Sequence, residues 1–103
     1  MLRVNKAHVT TVNRILKRYG GQFNVVDGPD VVTPEMAIEV ETPATLRRGV
    51  RQLKSLTGPS YLAVTNREGL ADALHLTRNT HIGVMDPRGD IVKPSCSDQH
   101  AQM

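Results

Sequence analysis

The stretch Gly28-Pro29-Asp30-Val31-Val32-Thr33-Pro34-Glu35-Met36-Ala37-Ile38-Glu39-Val40-Glu41-Thr42 decides how this chain folds. From Met36 to Glu41 the residues alternate as a strand does. Met36, Ile38 and Val40 share one face, and Ala37, Glu39 and Glu41 share the other. Positions two apart on a strand face lie roughly 6.6–6.8 Å from each other, so the two carboxylates repel. Glutamate is also depleted in strands, which argues against two of them being there without purpose. A divalent cation is the simplest group that would neutralise the pair. A hairpin turning at Thr33-Pro34-Glu35 brings Asp30 to the same face, and three converging oxygen ligands suit Mg²⁺ or Mn²⁺. The competing reading is an ordinary strand face turned to solvent.

The charge layout supports a site. Residues 1–26 carry five bases and no acid, residues 27–41 carry five acids and no base, and residues 42–60 carry four bases and no acid. Bases therefore flank a compact acidic centre, which suits the gripping of phosphates around a metal.

Outward from this centre, residues 4–19 predict an amphipathic helix. Val4, His8, Val12, Ile15, Leu16 and Tyr19 fall on one side, and Arg3, Lys6, Arg14, Lys17 and Arg18 on the other. His8 reads as a helix-boundary or core histidine. Gly20-Gly21 ends the helix, and a short strand is expected over residues 22–26, closed by an Asp27-Gly28 turn. Thr42-Pro43 opens a second helix, to about residue 57, with Leu46, Val50 and Leu53 inward and Gly49 allowing close approach. Arg47, Arg51 and Lys54 form a basic stripe on one flank of that helix. Gln52 lies on the other, near Arg48 and Thr45.

Residues 60–65 form a nearly continuous apolar run, as in a strand buried on both faces and reached by a parallel crossover. A third helix is expected over 67–78, capped by Asn66, with Leu70, Ala71, Leu74 and Thr77 inward. A strand over 81–85, a turn at Asp86-Pro87-Arg88-Gly89 and an edge strand over 90–93 complete the domain. The sequence thus predicts a single α/β domain over residues 1–93, with a mixed sheet, and a disordered polar tail over 94–103.

Composition narrows the function. With 39% hydrophobic and 22% charged residues, the chain is globular in character, and no apolar run approaches the roughly 20 residues of a membrane span. The single Cys96 and the absence of a signal-peptide pattern point to a reducing, cytoplasmic setting. Tyr19, Phe23 and Tyr61 are too few aromatics for a protein that stacks single-stranded bases.

The order α-β-β-β-α-β, with Pro29-Asp30 opening the second strand and Glu39-Val40-Glu41 ending the third, resembles the PD-(D/E)xK nuclease superfamily over residues 4–85. That superfamily includes archaeal Holliday junction resolvases and RecB-like nucleases. The resemblance implies a restriction-endonuclease-like core, here with an additional helix and a C-terminal hairpin. It implies Asp30, Glu39 and the Val40 carbonyl as ligands of Mg²⁺ or Mn²⁺, Glu41 in the catalytic set, and Gln52 as the glutamine of the following helix. Glu41 stands where the family usually has lysine, and no acid occurs on the first helix.

The expected function is metal-dependent DNA endonuclease, acting on duplex or branched DNA as a homodimer, with Arg47, Arg51 and Lys54 on the backbone phosphates. The Glu41 departure favours, as the alternative, an inactive domain of the same fold that binds DNA or assembles a complex. A protein–protein adaptor is the third reading.

Overall fold

The computed structural model describes residues 5–24 and 28–96. They form an α/β domain of three helices and a six-stranded mixed, open sheet. Helix α1 (Lys6–Tyr19) begins where Asn5 accepts a hydrogen bond from the His8 amide, and ends at Gly20, whose φ of 76° suits only glycine. The strands are β1 (Gln22–Phe23), β2 (Val31–Val32), β3 (Ala37–Glu41), β4 (Ser60–Val64), β5 (Gly83–Met85) and β6 (Ile91–Lys93). Helices α2 (Leu46–Lys54) and α3 (Leu70–Leu76) form the two crossovers.

The strands stand side by side in chain order. β2 runs antiparallel to both β1 and β3; β3, β4 and β5 run parallel, and β6 returns antiparallel. The expected hairpin is present, pairing Val31 with Ile38 and Val32 with Ala37. Thr33 closes its turn by accepting hydrogen bonds from the amides of Glu35 and Met36.

Two apolar layers hold the sheet. On one face Val12 and Ile15 of α1 pack with Val31, Ile38, Val40, Ala63 and Met85. On the other, Leu46, Val50 and Leu53 of α2 and Ala73 of α3 pack with Leu62, Val64 and Val84. The continuous apolar run of β4 is explained by this sandwiching, since all five of its residues are buried.

The helices are shorter than the sequence predicts, for local reasons. α2 stops at Lys54 because the Ser55 hydroxyl bonds back to the Gln52 carbonyl. The third helix starts as a 3-10 turn over Arg67–Gly69 and ends where Thr77 bonds back to Ala73 and Asn79 takes a φ of 63°. The 3-10 turn changes the helical phase, so Ala73 and Thr77 face inward while Ala71 and Leu74 are exposed.

At the C-terminal end, Ser95 accepts a hydrogen bond from the Ser60 amide and donates one to His81, so the ordered chain extends past Pro94. Residues 97–103 of the expected tail lie outside the described residues, as do Val4, Arg3, and residues 25–27 of the expected first strand and turn. No helix of the described residues is long and apolar enough to cross a membrane.

Candidate metal centre

Asp30 immediately precedes β2 and is held in place by β3. Its Oδ2 accepts a 2.8 Å hydrogen bond from the Val40 amide and lies 3.2 Å from His8 Nε2 on α1. Glu39 and Glu41 project from the face of β3 opposite Ile38 and Val40, the face covered by α2. One carboxylate oxygen each from Asp30, Glu39 and Glu41 lie within 4.8 Å of one another. These glutamates are not on a solvent-facing surface, since Glu39 is 4% exposed and Glu41 7%. Gly49 makes room for Glu41. A Cβ there would stand 2.5 Å from the Glu41 Cγ and 2.9 Å from Leu62 Cδ1.

Burial and crowding make the ionised forms costly. The Glu39 carboxyl is pushed up to about 9, chiefly by burial, then by hydrogen bonding and charge from Asp30, and by Glu41, against a smaller opposing pull from Arg48. Glu41 is also raised by burial, with Thr45, Arg48 and His8 favouring its ionised form. Glu39 Oε2 is fully buried and has no hydrogen-bond partner among the described residues. A buried polar atom left unpaired costs on the order of 1–3 kcal/mol. Three carboxylates gathered in this way are hard oxygen donors, a set of the kind a hard divalent cation accepts.

The remaining expected residues separate into two groups. Gln52 lines a cleft of about 200 Å³ that is also lined by Gly28, Pro29 and Glu39, so of the three carboxylates it shares a cleft with Glu39. Arg47, Arg51 and Lys54 line a different recess with Val50 and Leu76, away from them. Arg48 of α2 acts electrostatically on both glutamates. It shares a cavity of about 410 Å³ with Asn5, His8, Asp30, Glu39, Val40, Glu41, Thr42 and Thr45.

His8 and Arg48 are neighbours of the carboxylates that the sequence does not reveal. His8 lies 22 positions from Asp30, and no spacing rule connects them. Arg48 is distinguished from Arg47 only by the phase of α2. The Thr42-Pro43 helix start was readable, and in the structure the Thr45 hydroxyl accepts from the Thr42 amide, fixing the entry of α2 over the site.

No family model, no curated protein and no solved structure matches this chain.

Proposed function

We propose that the protein is a Mg²⁺- or Mn²⁺-dependent DNA endonuclease of restriction-endonuclease-like fold, with Asp30, Glu39 and Glu41 as its reactive carboxylates. The observation that carries this reading is the buried, unpartnered Glu39 Oε2 within the cluster of three carboxylates. The fold supports it as well. One helix lies on one face of a three-stranded meander and a crossover helix on the other, as the PD-(D/E)xK resemblance implies.

Asp30, Glu39 and the Val40 carbonyl would hold the cation, whose contribution is to lower the pKa of a bound water and to stabilise charge developing on phosphorus. Asp30 is fixed by the Val40 amide before any ligand arrives. Glu41, standing where the family has lysine, either joins the ligands or takes the proton from the attacking water. Arg48 offsets the negative charge at its side of the cavity. Gln52 sits at the adjoining cleft, where it can orient substrate, and the Arg47, Arg51 and Lys54 stripe is left to backbone phosphates farther away. The active unit in this reading is a cytoplasmic homodimer whose two copies flank the duplex, and sedimentation as a monomer at high concentration refutes that part.

The test is titration of Mn²⁺ and Mg²⁺ in the presence of plasmid and branched DNA, comparing wild type with Asp30→Ala. Metal-dependent cleavage that disappears in the variant is the expected result. Calorimetric binding of Mn²⁺ without cleavage supports the inactive DNA-binding module instead, which the Glu41 departure favours. Neither heat nor cleavage overturns the metal site altogether.

A further inference from the structure

A second groove, larger than the carboxylate cavity, lies elsewhere on the protein. It has a volume of about 580 Å³ and is lined by Arg14, Lys17, Arg18, Arg67, Pro87 and Arg88. Five of these six side chains are cationic. They come from three parts of the chain: α1, the 3-10 turn after β4 and the turn after β5.

The groove is held open by contacts that involve only some of its cations. Arg14 and Arg18 donate to the carbonyls of Pro87 and Arg88, and the Tyr19 hydroxyl donates to that of Gly89. Arg18 also pairs with Asp90, and Arg67 with Asp86 at 3.6 Å. Asp86 is satisfied independently by the amides of Arg88 and Asp90. The side chains of Lys17 and Arg88 are in no hydrogen bond or ion pair among the described residues, and both are exposed. Five cations gathered in a concave surface against two carboxylates, Asp86 and Asp90, leave an excess of positive charge that favours a polyanionic ligand.

Position identifies which polyanion. β3, β4 and β5 are parallel neighbours, so their C-terminal ends lie along one edge of the sheet. Glu41 ends β3, Arg67 follows the end of β4, and Arg88 follows the end of β5. At about 4.8 Å per strand, the end of β5 is about 10 Å from the end of β3. α1 runs between the same two places, touching Asp30 through His8 and the turn after β5 through Arg14 and Arg18. Nine residues of helix separate His8 from Lys17, about 14 Å. A DNA strand rises about 3.4 Å per nucleotide, so a backbone crossing the carboxylates reaches the groove after three to four nucleotides.

We propose that this groove holds the phosphate backbone of DNA three to four nucleotides from the carboxylate cluster, making it the main docking surface for the substrate strand. The choice of ligand rests on the nuclease reading. The groove takes precedence over the α2 stripe because it lies on the same sheet edge as the carboxylates and is linked to them by α1.

The test is equilibrium binding of a short labelled duplex to the full chain, in buffer containing a chelator, across a salt series. Each phosphate contact contributes about −0.9 to the log–log salt slope. The combined variant Lys17→Ala, Arg67→Ala, Arg88→Ala should therefore flatten the slope by about 2.7. Over a fourfold rise in salt, wild type should lose about 40-fold more affinity than the variant. Exchanging these residues for the other basic type (Lys17→Arg, Arg67→Lys, Arg88→Lys) should restore the slope, and single Arg88→Ala should flatten it by about 0.9. A wild-type slope in the triple variant, with the loss appearing instead in Arg47→Ala, Arg51→Ala, Lys54→Ala, overturns the proposal. Groove-dependent binding without Mn²⁺-dependent cleavage leaves the groove standing and removes the nuclease reading. Cleavage with groove-independent binding does the reverse. A wild type that binds no duplex overturns both.

Discussion

In buffer free of divalent cations, Glu39→Gln should make this protein more stable, and by more as the pH rises. The Glu39 carboxyl moves from 4.5 in the unfolded chain to about 9 in the fold, driven first by burial and then by Asp30. Between those values the folded state holds more protons than the unfolded state. Unfolding free energy therefore falls as pH rises through this window. The stabilising contribution of the protonated acid is complete below about 4.5 and is lost by about 9. Glutamine keeps the shape of the protonated acid and has no charge to lose.

At pH 7 the folded carboxyl is still below its own titration point, so the loss is set by the unfolded value. Two and a half units at about 1.36 kcal/mol each give about 3 kcal/mol. Near pH 5 the same reasoning gives less than about 1 kcal/mol. Urea denaturation of both proteins with a chelator, followed by far-ultraviolet circular dichroism across this range, reads the difference directly. Mn²⁺ at a hundred times its dissociation constant should then recover about 2.7 kcal/mol for wild type, and less for the variant. A stability difference that is flat with pH, or that favours wild type at the alkaline end, refutes the argument.

Two further perturbations test the packing beneath the site. Gly49→Ala and Gly83→Ala each add one methyl group, but they meet different atoms. At Gly49 the new Cβ meets side chains of Glu41 and Leu62, and helix propensity returns about 1 kcal/mol, so the net cost should be about 1–2 kcal/mol with a measurable loss of Mn²⁺ affinity. At Gly83 it meets Tyr61 at 2.5 Å and the backbone of Lys93 and Ser95 at 2.6 Å, so the loss in thermal or urea stability should reach about 3 kcal/mol. The reverse order would refute this account. Tyr19→Phe removes the bond to Gly89 that ties α1 to the turn after β5, and should cost about 1 kcal/mol in the same denaturation assay, with flatter salt dependence of duplex binding.

Most of the sheet was readable because its signals are local. Alternation from Met36 to Glu41, the Thr33-Pro34-Glu35 turn and the apolar run of β4 each specify a strand within a few residues. The convergence of Asp30 on Glu39 and Glu41 followed from the hairpin register alone. The helix ends were harder, since a single hydroxyl at Ser55 or Thr77 terminates hydrogen bonding that the apolar pattern would continue. His8 and Arg48 depended on how α1 and α2 cross the sheet, a tertiary matter that no window of sequence contains.

The acidic pattern of β3 carried one further meaning, visible only beside β4. Both are interior strands covered by helices on each face, and β4 has the continuous apolar sequence that such a place demands. β3 occupies an equivalent place with the alternating sequence of a half-exposed strand, and its two glutamates are buried. Propensity, patterning and burial agree at β4 and conflict at β3. Such conflicts are tolerated where function requires them. Gly49 leaves room for one glutamate, Arg48 and Thr45 soften its charge, and the other keeps an oxygen without a partner. In the metal-site reading proposed above, the instability of the fold at Glu39 and its affinity for a cation have the same origin, so Glu39→Gln should relieve the first while weakening the second.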